Sequence, residues 1–417
     1  CCITTMEDYY SRVRFQLRAF VHPNLSREPV MNSWKEVADK LYEMPDWGLQ
    51  FKNNRPGELV LEAAGITAAD FANQMQTIKK LYNYINHNIQ WDDYYSIGLG
   101  REISAILKTK SGDSGELNKL MHAALLQAGI PSRPVLMSTR ENGKHFEIYP
   151  FIDQFNHMAV LANVDGKDMW LDLGDKNLPS GLLRPEVLNS KGWIADELNP
   201  SWIDVKVPDS KSVYYVKGAL DVNGNFTGDL EARFTGYHAL TQREIAADKK
   251  ENYGSDLLGY GTSLIGIPDI EKINEKETDL PFQLKGKIVD FPIATVSADK
   301  IYMLPIIANG LTNSPFKLEE RTYPIEMNYA EEISMILDIV LPEGYKIESV
   351  PEPVRFVTEG NGIIISYNAS HTPGKLNVNM KYTGKQLYFD PKEYAALKNI
   401  YSQRSQKFNE QIVLSKI

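Results

Sequence analysis

Three residues of the 417-residue chain are of types that could together carry acyl chemistry: Ser114, His157 and Asp172. His157 opens the run HMAVLANV, and the Asp165-Gly166 dipeptide behind it is a strong two-residue hairpin signal. With Val164 and Lys167 as the flanking pair, the register places His157 opposite Gly174. Asp172 is then its diagonal neighbour on the same face, about 7 Å away at the backbone. A carboxylate at that reach fixes the imidazole tautomer and stabilises its protonated form, as a general base requires. Spacing alone equally allows a satisfied hydrogen-bonded pair on a half-buried hairpin.

The partner of this pair lies in Ser111-Gly112-Asp113-Ser114-Gly115-Glu116, just before Leu117, the first apolar residue of a helix. Ser114 is expected at or near the N-cap. A nucleophile there feels the positive end of the helix dipole, which primes a thiol as thiolate. A hydroxyl gains far less and needs a well-aligned base. Serine is also a favoured cap residue, so a structural role stands beside the chemical one. The backbone N–H of Ser114 is the natural oxyanion donor. Gln90, Trp91, Tyr94 and Tyr95 in IQWDDYYSIGLG either line a cleft or pack over the helix.

The elements that must position these residues follow from periodicity. Trp34, Val37, Ala38, Leu41 and Tyr42 fall at helical spacing after an Asn-Ser cap. A second helix is expected from about Ala68 to Ile89, and a third from Ser114 to a glycine C-cap at Gly129. Strands are expected at Arg133–Thr139, His157–Val164 and Met169–Leu173, so this half is α+β. The alternating run YSRVRFQLRAF over residues 10–20 predicts a lone strand. Residues 195–212, rich in Pro, Ser and charge, read as a linker. Beyond them period-two alternation dominates, with an Asn223-Gly224 turn, and predicts a β-sandwich. A helical insert near Ala239–Lys250 and a final helix begun by Asp390 and Pro391 complete it.

Composition narrows the function. Apolar residues are 43% and charged residues 24% of the chain, and the formal net charge of −9 is dispersed, which argues against a nucleic-acid partner. No run reaches the roughly 18 apolar residues of a membrane span. Cys1 and Cys2 are the only cysteines, so a disulfide framework, a cysteine metal site and a cysteine nucleophile are excluded from residue 3 onward. The seven histidines include no HxxxH pair, and no metal or cofactor is expected. Cys1 stands where a bacterial lipid anchor would be attached; the alternative is that residues 1–20 close an upstream domain.

GDSGELNKLMHAALLQAGIPSRPVLMSTR, then FNHMAV, then WLDLGD, resembles the core of the transglutaminase-like superfamily, relatives of papain-type cysteine proteases. His157 and Asp172 match that family's histidine and aspartate, in the same chain order. Ser114 stands where the family has cysteine, the Asp-Pro-Thr-like element reads Asp172-Leu173-Gly174, and Gly115-Glu116-Leu117-Asn118 departs from the Cys-x-Asp-Lys run of active members. Gly-Asp-Ser-Gly also resembles a chymotrypsin-type signature, but there the serine comes last and does not open a helix. NSPFKLEERTYPIEM, LPEGYKIESVPEPV and FDPKEYAALKNIYSQ look like the β-rich C-terminal domain of bacterial secreted proteins with such a core.

The resemblance implies a transglutaminase-like, papain-like core followed by a mostly antiparallel β-sandwich. It divides the chain into a strand segment at 1–30 from an upstream domain, the core at 31–200, and the β-sandwich with its helical insert and C-terminal helix at 201–417. It also implies a periplasmic, cell-surface or secreted location. Three functions follow. One is a non-catalytic protein whose cleft or β-domain binds a peptide, a glycan or a partner protein. Another is a serine-variant acyl hydrolase, peptidase or acyl transferase with Ser114 as nucleophile, His157 as base and Asp172 as its orienter. The third is a cysteine protease inactivated by a cysteine-to-serine exchange at position 114. Drift at several motif positions together favours the first.

Overall fold

A computed structural model of the chain describes residues 4–11, 13, 19–21, 28–29, 33–248, 270–305 and 311–417. They fall into two compact units, Thr4–Val207 and Pro208–Ile417. Cys1, Cys2 and most of the strand expected at 10–20 lie outside the described residues. Within that run Ala19–Phe20 is a strand, paired with Glu28–Pro29.

The first unit is built around the Ser114–Gln127 helix, the site helix. Every residue from Ser114 to Leu125 is buried, the polar Glu116, Asn118, Lys119 and His122 included. A helix covered on all sides must satisfy its polar side chains internally. Gly57, on the Asn54–Ala63 helix, lies so close that a Cβ there would collide with the Ala123 carbonyl. The opposite flank meets a five-stranded antiparallel sheet in the order Lys167–Leu171, His157–Val164, Ser132–Met137, Lys191–Ile194 and Ser201–Asp204. The hairpin forms in the expected register, Val164 with Lys167 through Val160 with Leu171, around left-handed Asp165 and Gly166.

Two expectations shift here. The helix anticipated from Ala68 begins at Gln74, because the Asn73 side chain caps it by accepting from Gln76 N–H. Residues 201–204, expected in a linker, form the sheet's last strand. Trp202 pairs with Trp193 there, and its ring meets Trp34 edge-on at 5.2 Å, so burial of an aromatic outweighs a linker-like composition.

His122 illustrates the cost of such burial. Its Nδ1 lies 2.9 Å from Ser132 Oγ, and burial takes its pKa from 6.5 down to about 3. The unfolded chain therefore binds this proton from about pH 6.5 downward while the folded unit resists it. Stability should fall as pH drops through that window, by about 2 kcal/mol at pH 5 from this group alone. All six tryptophans lie in the first unit, so urea unfolding followed by tryptophan fluorescence reads it separately. His122→Asn should flatten the dependence between pH 6.5 and 5; an unchanged slope would contradict the assignment.

The second unit has the β-rich architecture expected of it. An eight-stranded sheet runs Ile270–Ile273, Phe282–Pro292, Asn225–Thr235, Ser210–Leu220, Glu331–Val340, Lys375–Gly384, Ile363–Thr372, Val354–Val357. All its neighbours are antiparallel except Ser210–Leu220 with Glu331–Val340. One core joins it to a four-stranded sheet and to the Tyr394–Phe408 helix. The helical insert is Tyr237–Asp248, and the remainder of that expected helix falls outside the described residues. The chain does not finish in a helix as expected. Ile412–Lys416 inserts between Lys300–Met303 and Tyr345–Ser349, a short run whose partners are remote in sequence.

Candidate active site

Ser114 is not the cap of the site helix. Asp113 is: its carboxylate accepts from Glu116 N–H at 2.8 Å, while the Glu116 carboxylate accepts from Asp113 N–H at 3.1 Å. This reciprocal capping box leaves Ser114 in the first turn with its hydroxyl free for another partner. That partner is His157, whose Nδ1 lies 2.9 Å from Ser114 Oγ. On the far side of the ring, Nε2 lies 3.1 Å from Asp172 Oδ1, near enough for strong electrostatic contact but off the line of a straight hydrogen bond. With Nε2–H facing the carboxylate, Nδ1 accepts from the serine hydroxyl. The three residues named from the sequence therefore meet, all fully buried.

The carboxylate is held from several directions. Asp172 Oδ2 accepts from Arg184 N–H at 2.9 Å, and Oδ1 faces Asn118 Nδ2 at 3.3 Å and Arg184 Nε at 3.5 Å. Burial alone would raise its pKa, but the neighbouring His157 and Arg184, and the bond the Arg184 main chain donates, outweigh it and lower it. The Asp172 carbonyl accepts from Tyr82 O–H at 2.7 Å. Arg184 also donates to the Leu173 carbonyl and stacks 4.1 Å above Trp91 and 5.6 Å from Tyr95. Gly174, at φ +110°, makes this possible, since a Cβ there would overlap the guanidinium. The departure from Asp-Pro-Thr thus has a steric partner.

The serine is fully buried. Its backbone N–H, the expected oxyanion donor, donates to the Tyr94 carbonyl at 3.0 Å. Its Oγ accepts from Ser96 N–H at 3.1 Å. Trp91, Tyr94 and Tyr95 are placed around the relay. Trp91 donates from its indole to the Tyr94 carbonyl, Tyr95 packs edge-on to the His157 ring at 5.6 Å, and the Tyr94 ring points to solvent, 68% exposed. Gln90 is exposed and contributes its main chain, donating to the Lys110 carbonyl at 2.9 Å. The aromatic segment is a cover over the relay.

Sequence reasoning missed Arg184, Asn118 and Ser96. Asn118 had a local signal: four residues after Ser114 on a helix, it bonds back to the Ser114 carbonyl at 2.9 Å and accepts from Leu173 N–H at 3.2 Å. Arg184 and Ser96 arrive from distant segments and had none. Among the described residues no cluster of side chains could hold a metal ion, and no helix is long and apolar enough to cross a membrane. Cavities of about 630 and 470 Å³ lie on the outer face of the eight-stranded sheet. They sit over a cross-strand row, Lys287–Asp229–Lys217–Asp338, whose alternating charges neutralise one another.

Comparison with known proteins fits this geometry. No curated protein matches the chain. Residues 299–414 match a family described as a domain of unknown function with solved-structure structure (DUF3858). A crystal structure from Parabacteroides distasonis ATCC 8503, described as a "putative protease", is similar with a TM-score of 0.53 at 14% identity. The match takes in 92% of this chain and 58% of that one, so the chain spans little more than half the length of that protein and shares its fold alone. Residues 63–177, which carry Ser114, His157 and Asp172, match the transglutaminase-like superfamily: the first unit is built on a transglutaminase-like core.

Proposed function

We propose that this protein is a transglutaminase-like scaffold that no longer transfers acyl groups and acts by binding a peptide, a glycan or a partner protein. The observation that carries this reading is the occupancy of Ser114. Its N–H is spent on Tyr94 and its Oγ accepts from Ser96, so an incoming carbonyl would find neither an oxyanion donor nor an approach to the nucleophile. Acyl transfer needs the nucleophile within about 3 Å of the carbonyl carbon and a donor within about 3 Å of its oxygen. The misaligned contact between His157 and Asp172 points the same way. On this reading the three side chains are a buried polar network that ties the site helix to the sheet, and the Tyr94 ring is an exposed aromatic on the segment that covers it. A periplasmic or cell-surface location belongs to the same proposal and rests on the family resemblance.

A serine acyl hydrolase or transferase is the second reading, favoured by the 2.9 Å contact between Ser114 Oγ and His157 Nδ1. A fluorophosphonate probe separates the two. The folded protein should show no label on Ser114 by peptide mass, and screening on peptide and glycan arrays should return a ligand. Labelling of Ser114 that disappears in His157→Ala would establish the hydrolase in its place.

A further inference from the structure

We propose that residues 91–101 form a strap latched over position 114 by side chains of the site helix itself, and that this latch, separately from the loss of a thiol, keeps the relay from reacting. The proposal rests on the non-catalytic reading above and adds the device that enforces it.

The strap is fastened along its length by one and a half turns of helix. Its first part continues a parallel ladder on Ser111–Gly112: Asp92 N–H donates to the Gly112 carbonyl at 3.1 Å, and Ser114 N–H then donates to Tyr94. Ser96 N–H reaches Ser114 Oγ at 3.1 Å. Lys119, wholly buried, donates from one ammonium to the carbonyls of Gly98 at 2.6 Å, Asp46 at 2.8 Å and Arg101. Glu116 closes the end through a two-pronged pairing with Arg101, one prong 2.8 Å long. Ser114, Glu116 and Lys119 thus hold the strap at its middle and at its end. The 115–118 run that departs from the active-member pattern contains one of these fasteners, and Asn118 in it braces Asp172.

The strap lies against the helix backbone with nothing between them. A Cβ on Gly115 would collide with Gly98 N, the Ile97 carbonyl carbon and the Ser96 oxygen, and the chain turns away at left-handed Gly98 and Gly100. The Tyr94 carbonyl occupies the one donor that a substrate carbonyl would need, so the strap fills the acyl position with its own main chain. A hydroxyl at 114 suits this arrangement because it accepts an N–H well, where a thiol is a weak acceptor. Opening the site therefore requires breaking several buried or part-buried hydrogen bonds together, and restoring sulfur leaves most of them in place.

The experiment installs the thiol and measures its access. In a Cys1→Ser/Cys2→Ser background, Ser114→Cys is treated with iodoacetamide under native conditions, and the modified peptide is quantified by mass. The cysteine should react at least about 100-fold more slowly than a free thiol. Adding Gly115→Ala, which wedges the strap without harming helix propensity, should raise the rate at least about tenfold. Lys119→Met should raise it independently, and fluorescence and circular dichroism identify any variant that has unfolded instead. Free-thiol reactivity of Ser114→Cys alone would overturn the latch, as would a protected cysteine that neither second substitution exposes. Fluorophosphonate labelling of the unaltered protein tests the non-catalytic reading by itself, so the two ideas fail on different measurements.

Discussion

Asp172→Ala is expected to destabilise the first unit by about 3–5 kcal/mol, the largest effect of any single change at the site. The reason is what it leaves behind. Arg184 is 2% exposed, its Nε faces only this carboxylate, and its backbone N–H donates to Asp172 Oδ2. Removing the carboxylate strands a buried guanidinium together with an imidazole and a main-chain donor. Replacing both charged partners should be gentler: Asp172→Ala with Arg184→Met should cost less than the sum of the two single changes, because no unpaired charge remains. Urea titrations read by tryptophan fluorescence measure all three variants. A loss below about 1 kcal/mol for Asp172→Ala would mean that water reaches Arg184 and that the network is not sealed. The pH dependence carries the same signature. Since the pKa of Asp172 is lowered on folding, its contribution is complete above the ordinary carboxylate value near 3.8 and is lost as pH falls through the lower folded value.

Ser114→Ala should cost about 2 kcal/mol, which is unusual for the position of a family nucleophile. The buried His157 Nδ1 and the part-buried Ser96 N–H lose their partner at once, and a stranded buried donor or acceptor costs about 1–3 kcal/mol. A serine kept for catalysis behaves differently: its removal abolishes activity and leaves stability unchanged or improved, because active-site geometry is commonly held at the expense of stability. The sign of the change therefore tests the role of the residue. A neutral or stabilising Ser114→Ala, combined with loss of fluorophosphonate labelling, would return Ser114 to the role of nucleophile. Destabilisation without labelling supports a hydroxyl that is there to close the structure.

The triad positions were legible because each is fixed locally. The Asp165-Gly166 turn sets the hairpin register, and a one-residue slip would turn every side chain of HMAVLANV to the wrong face. The apolar run from Leu117 fixes where the site helix lies, and chain order then brings Ser114 to the start of that helix. Whether Ser114 or its neighbour caps the helix was open for a similarly local reason: Asp113 and Ser114 are both good caps, and only the Glu116 carboxylate folding back on Asp113 N–H decides between them. The last strand escaped because Ile412–Lys416 is five residues long and owes its stability to two strands far upstream.

The sequence by itself determined the kind of frame, a helix-borne residue facing a histidine and an aspartate, and the absence of sulfur from it. Local periodicity, one turn and residue identity suffice for that. Only the tertiary structure decided whether the frame is open. Ser96, Lys119 and Arg184 act from 18 residues before Ser114, from the interior of a helix that is buried on every side, and from the loop between the strands Lys167–Leu171 and Lys191–Ile194. What they do is hold residues 91–101 against the helix and fix the Asp172 carboxylate. Hydrogen bonds between distant segments leave no period in the sequence, and they are what closes this site.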